Sequence, residues 1–200
     1  CVINIGTGEK YHSSDVKSFR EYIESCSPCI AYAHNGSKYD LYGLYDQDTL
    51  YESKKVSTGT RVFEYEINDV KYRDSRHLFP MSLNSVAKSV GMSKGITPQE
   101  YIDGNVTEIT QEAIDYCYLD CEIIVALINR LRTLYADLLG LPVTSVALPL
   151  TTASMSYRIW CHNYWPDQWK WTDAKKRVRR MVSNRKIFNE NFRKCEHGGR

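Results

Sequence analysis

The chemistry in this 200-residue chain starts with two aspartates in places where a carboxylate is hard to keep. Asp120 falls on the apolar stripe Ala113, Cys117, Cys121, Ile124, Leu127, Ile128, Leu131, between Cys117 and Ile124. Tyr116 precedes it by one helical turn and faces the same way. An ionised carboxylate on an inward face is costly unless it is paired or coordinates a metal. Taken alone, Asp120 is more simply a hydrogen-bonded structural residue. Asp40 changes that balance. It closes Ala33-His34-Asn35-Gly36-Ser37-Lys38-Tyr39-Asp40, behind the compact apolar run Cys29 to Ala33, which reads as a buried strand. Polar groups at such a strand end lie in the crevice where open sheets bind ligands. On its own, Asp40 could equally cap a helix starting at Leu41.

Other reactive residue types are less specific. The seven cysteines, an odd number spread through periodic segments, favour reduced, intracellular thiols over disulfides. Cys26-Ser27-Pro28-Cys29 has CxxC spacing, but no second pair follows at zinc spacing, so a closed site lacks its other ligands. The net charge of +2 hides an asymmetry: Lys170 to Lys194 holds ten Lys/Arg and two acids, +8 there against −6 elsewhere. Trp169, Trp171, Phe188 and Phe192 interleave with it. Basic groups neutralise phosphates and rings offer faces to bases, so this stretch suits nucleic acid as well as it suits a solvated basic helix.

The elements that must position these residues can be read from periodicity. Val2 to Ile5 is a short strand, and Ser14 caps a helix with the stripe Phe19, Tyr22, Ile23. Arg61 to Ile67 and Val70 to Tyr72 flank Asn68-Asp69, a hairpin signal. Ser82 opens a helix with Leu83, Val86, Ala87 and Val90 inside and Gly91 as its stop. Thr97-Pro98-Gln99-Glu100 is a capping box, and the longest helix runs from about Thr110 to Tyr135. The order implies an α/β domain with a mixed sheet flanked by helices over residues 1–145, then a basic, mostly helical or irregular segment over 146–200. A hydrophobic content of 42% fits one sizeable core. No run of eighteen apolar residues exists, so no membrane span is expected. The opening at Cys1, without initiator Met or leader, reads as a piece of something longer.

Taken together, these segments resemble the DEDDy 3′→5′ exonuclease region of family B DNA polymerases. The second exonuclease motif of that family, Asn, a short spacer, Phe/Tyr, Asp, is matched by Asn35, Tyr39 and Asp40. The third, Tyr, three residues, Asp, is matched by Tyr116 and Asp120. Arg73-Asp74-Ser75, Lys94-Gly95 and Thr152-Ala153-Ser154 are similar to segments of the protein-primed branch found in viruses and linear plasmids. Glu196-His197-Gly198-Gly199 resembles its Tyr-x-Gly-Gly link to the polymerase domain, with Glu196 in place of the Tyr. The first exonuclease motif, Asp-x-Glu, would precede Cys1, and the polymerase carboxylates would follow Arg200. Asp120-Cys121-Glu122 lies inside the long helix and cannot replace the former.

The resemblance implies a ribonuclease-H-like fold in which four carboxylates hold two magnesium (or manganese) ions across the scissile phosphate. Asp40 and Asp120 would be metal ligands, Tyr116 would orient the attacking water, and Lys94 would stabilise phosphate charge. His34, Asn35, Tyr39 and Ser75 would grip the frayed single-stranded 3′ end of a primer-template. Lys175, Lys176, Arg177, Arg179, Arg180, Gly198 and Gly199 would meet DNA near the domain junction. A terminal priming protein is an implied partner of the parent polymerase. A mitochondrion with a linear plasmid and a virus-infected cell are candidate settings. The alternative is a non-catalytic single-stranded nucleic-acid-binding module that keeps the fold without the chemistry.

Overall fold

A computed structural model of the chain describes residues 1–37, 39–97 and 108–164. The chain divides into two compact units, Cys1–Ile159 and Trp160–Arg200. Both sheets and both hydrophobic clusters belong to the first, and few residues of the second are described. The basic stretch Lys170 to Lys194, Gly198-Gly199 and most of the Thr97–Glu100 capping box lie outside the described residues.

A small antiparallel pair, β1 (Val2–Ile3) with β2 (Lys10–Tyr11), opens the chain. It ends earlier than Ile5 because Asn4 turns the backbone: its carbonyl accepts the N–H of Gly8 and its side chain that of Gly6. Helix α1 (Val16–Ser25) is capped by Asp15 rather than Ser14; Asp15 Oδ2 accepts the Ser18 N–H at 2.8 Å. A negative charge there also meets the positive end of the helix dipole. Strand β3 (Cys29–Ala33) follows, then the short helices α2 (Asp40–Leu44) and α3 (Gln47–Glu52).

The main sheet has the order β3-β6-β5-β4, completed by β4 (Lys54–Thr58), β5 (Arg61–Ile67) and β6 (Val70–Asp74). Strand β3 runs parallel to β6, and the other pairs are antiparallel. Asn68 and Asp69 turn the β5–β6 hairpin at φ 50° and 60°, the left-handed pair such a two-residue turn requires. Strand β3 is an edge strand and not the fully buried one expected, with Ile30 40% exposed. Strand β4 has no counterpart among the sequence-based expectations, because all five of its residues are exposed and none alternates.

Both faces of this sheet are covered. On one, Tyr65, Ile67, Val70 and Tyr72 pack with Ile23, Leu41, Tyr45 and Leu50 of α1, α2, the adjoining turn and α3. On the other, Tyr32 packs against a core built from α4 (Leu83–Ser89), α5 (Gln111–Leu139) and the segment after α5. Charged Glu64 and Arg73, opposite each other in register, meet at 2.6 Å, and Arg73 also donates to Tyr32 Oη and the Leu148 carbonyl.

Ser82 caps α4 as its sequence suggests, and Thr110 caps α5, which runs a turn beyond Tyr135 to a left-handed Gly140. The buried side of α5 is partly rephased. Ile123, Leu127, Ile128 and Leu131 are inside as expected of the stripe's later half, apart from Ile123, which replaces Ile124 as the deeper residue. Cys117, expected inside, is exposed. Val146, Leu148 and Met155 belong to the same core, so the compact unit continues past residue 145, and α6 (Thr152–Tyr164) follows. Among the described residues no helix is long and apolar enough to cross a membrane.

Candidate functional site

The parallel β3–β6 pair sets the site. Ala33 is in register with Asp74, so His34-Asn35 and Ser75-Arg76 leave the two strands side by side at their carboxyl ends. Asp74 ties these ends together. Its buried carboxylate accepts the Asn35 N–H at 2.8 Å, the Ser37 hydroxyl at 2.7 Å and the Arg76 N–H at 2.9 Å. Asn35 sits in the left-handed region, φ 69°, a conformation Asn tolerates better than most residues. Gly36 is needed where the loop doubles back: a Cβ there would stand 2.4 Å from Ala33 Cβ and 3.0 Å from Asp40 Oδ2.

His34 is held at both ring nitrogens. Nε2 donates to the Met81 carbonyl at 2.8 Å, and Nδ1 lies 2.9 Å from Ser75 Oγ. Ser75 is fully buried, and its one hydroxyl proton lies within reach of both His34 Nδ1 and the Ala33 carbonyl, 3.1 Å away. Burial lowers the imidazole's pKa, with the Arg76 charge adding to this and the Asp74 and Asp120 charges opposing it. Tyr39 presents a ring that is 68% exposed.

Helix α5 brings the second half. Lys94 Nζ lies 3.7 Å from Asp120 Oδ2 and 5.3 Å from the Tyr116 ring centre. The Tyr116 hydroxyl lies 3.1 Å from Thr97 Oγ1. Gly95 lets the Lys94 segment approach α5, since a Cβ there would fall 3.1 Å from the Tyr116 ring and 3.2 Å from Leu119. Asp120 Oδ1 is buried without a hydrogen-bond partner. Burial raises its carboxyl's pKa, and the Lys94 ammonium offsets only part of that.

Asp40 keeps an exposed surface, yet burial of its carboxyl is the first cause of an upward pKa shift, with the Asp74 charge second. Burial pushes Cys121 up to about 11, and the negative charges of Cys117, Asp120 and Asp40 add to the shift. His34, Asn35 and Ser75 gather at the β3–β6 ends with Asp40 against Gly36, and Lys94, Tyr116 and Asp120 gather at α5, close enough for the Asp120 charge to act on His34. Among the described residues no group of three His, Cys, Asp or Glu side chains is arranged to hold a metal ion.

The chain matches no family model, no curated protein and no solved structure.

Two residues of this region were assigned no role from the sequence, although Asp74 lay within the quoted Arg73-Asp74-Ser75 segment. Asp74 had a usable signal, since it continues the inward phase of Val70 and Tyr72 and so had to be a buried carboxylate. Arg76 had none, because its partner Asn35 is distant in sequence and close only through the β3–β6 pairing.

Proposed function

We propose that the chain is the 3′→5′ proofreading exonuclease region of a family B DNA polymerase, of protein-primed type, with a ribonuclease-H-like fold. The observation that carries this reading is the unpartnered, buried Oδ1 of Asp120 on α5, with Lys94 beside the same carboxylate and over the Tyr116 ring. Two hard carboxylate donors, one with an orphaned oxygen, fit part of a magnesium site. Asp40 and Asp120 would hold it, with the other carboxylates coming from the Asp-x-Glu strand of the parent. When bound, such ions supply Lewis-acid stabilisation of the phosphodiester and its leaving oxygen.

The chain's own residues supply the rest. Tyr116 orients water through its hydroxyl, and Lys94 offers positive charge to phosphate. His34, Asn35 and Tyr39 line the path of the terminal nucleotide, and Tyr39 gives an exposed face for base stacking, whereas Ser75, expected to grip the strand, is fully buried and acts only by holding His34. Lys175, Lys176, Arg177, Arg179 and Arg180 would add sequence-independent contacts to DNA phosphates.

The alternative is a single-stranded nucleic-acid-binding module without catalysis. It is favoured by the contact between Lys94 and Asp120, which gives that carboxylate a counter-charge without any metal. Digestion of 5′-labelled single-stranded DNA in magnesium separates the two. The 200-residue chain should show negligible turnover. The same chain extended upstream through the Asp-x-Glu strand should digest DNA from the 3′ end, and Asp120→Ala should abolish this. Binding without digestion by the extended chain selects the module, and robust digestion by the 200 residues alone means the catalytic residues lie elsewhere.

A further inference from the structure

Two arginines three residues apart are treated differently by this fold. Arg73 is neutralised by Glu64 and bonded to Tyr32 and the Leu148 carbonyl, a closed structural arrangement. Arg76 is half-buried, yet its guanidinium makes one hydrogen bond, from Nη1 to Asn35 Oδ1 at 3.0 Å, and no carboxylate lies within ion-pair distance among the described residues. A guanidinium carries five N–H donors in a planar fork. None of its other nitrogens is a buried atom left without a partner, so the fork stays open to water and to a ligand, and its geometry matches phosphate oxygens two at a time. The backbone of Asn35, whose side-chain oxygen accepts from Arg76, is tied down because its N–H is bound by Asp74. The Arg76 backbone N–H is bound by the same carboxylate. The residue thus stands prearranged at the carboxyl end of two parallel strands, the location where open sheets take ligands.

We propose that Arg76, oriented by Asn35, is a phosphate-binding residue that takes one phosphodiester of a single-stranded nucleic acid at the carboxyl ends of β3 and β6. This rests on the exonuclease-region reading for the identity of the ligand, while the anion site itself rests only on the guanidinium's surroundings. Binding through Arg76 fixes one backbone phosphate near His34 and leaves the base free, so it confers no sequence preference.

The test uses the full 200-residue chain, a fluorescent oligothymidylate of about sixteen nucleotides and no divalent metal, with anisotropy followed across salt. Arg76→Gln should weaken binding several-fold and reduce the log–log salt slope by about 0.7, the increment for one phosphate on a single strand. Arg76→Lys should restore the slope but not the full affinity, since a point charge replaces the fork. Asn35→Asp provides a second variant that Asp's tolerance of the left-handed region allows to fold. It gives Arg76 the carboxylate it lacks, so it should also weaken DNA binding while the melting temperature holds or rises. Unchanged slope and affinity in Arg76→Gln overturn the assignment. If the wild type ignores the oligonucleotide but binds pyrophosphate in an Arg76-dependent way, the anion site stands and the nucleic-acid reading falls. Should it bind the oligonucleotide and pyrophosphate alike without regard to Arg76, the anion site falls and the nucleic-acid reading stands.

Discussion

The Asp74 carboxylate accepts the backbone N–H of Asn35 at 2.8 Å, and this bond joins the ends of the two parallel strands that carry half of the site. Since Asp74 also holds Ser37 and the Arg76 N–H, three donors depend on one buried side chain.

Asp74→Ala should therefore be among the more damaging single changes in the first unit. Leaving those donors unsatisfied costs about 3 kcal/mol, against a usual value near 1 for a point mutation. Urea denaturation should show the midpoint falling with the slope unchanged. Asp74→Asn keeps an acceptor oxygen and should lose roughly half as much. A loss under about 0.5 kcal/mol would mean that the loop is held by something other than this carboxylate.

Asp120 makes stability depend on pH, because burial raises its carboxyl's pKa above the ordinary value of 3.8. The folded state then holds this proton over a range where the unfolded chain has released it. Stability contributed by the group is thus fully present below about pH 3.8 and declines as pH rises through the folded pKa. The difference in unfolding free energy between wild type and Asp120→Asn should shift against the wild type across that window and flatten above it. The opposite slope would show the Lys94 charge outweighing burial.

Helix α5 provides a packing prediction. Ile123 is fully buried, whereas Cys117, nearly two turns earlier, is exposed. Ile123→Ala should cost about 3–4 kcal/mol through lost transfer energy and a cavity. Cys117→Ser should stay within about 0.5 kcal/mol. Chemical denaturation of the two variants checks the helix phase directly, and comparable losses would contradict it.

How much of this could be read in advance depended on whether the signal was local. The β5–β6 hairpin was legible because Asn68-Asp69 suits left-handed turn geometry and Tyr65, Ile67, Val70 and Tyr72 share a face. Capping by Ser82 was equally local, as was the start of the long helix near Thr110. The stripe of α5 went out of phase near Cys117 because the helix changes partners along its length, meeting β1 early and α4 later. A single period cannot describe both contacts. The site was half legible: Asp40 and Asp120 stand out as carboxylates beside apolar runs, while the Asp74 clamp and the Arg76–Asn35 bond arise only when β3 and β6 pair.

The two outer strands of the main sheet carry unequal protection against self-association. On β4 the exposed Lys54 and Lys55, together with an irregular register at Val56/Ser57, make a poor template for another strand. Strand β3 has no lysine between Cys29 and Ala33, and Ile30 is exposed beside backbone that no other described strand pairs on its outer side. Aggregates of this chain should therefore grow from β3. Since β3 leads directly into His34 and Asn35, assembly there would consume the same edge from which the site is built, so loss of solubility and loss of ligand binding should arrive together.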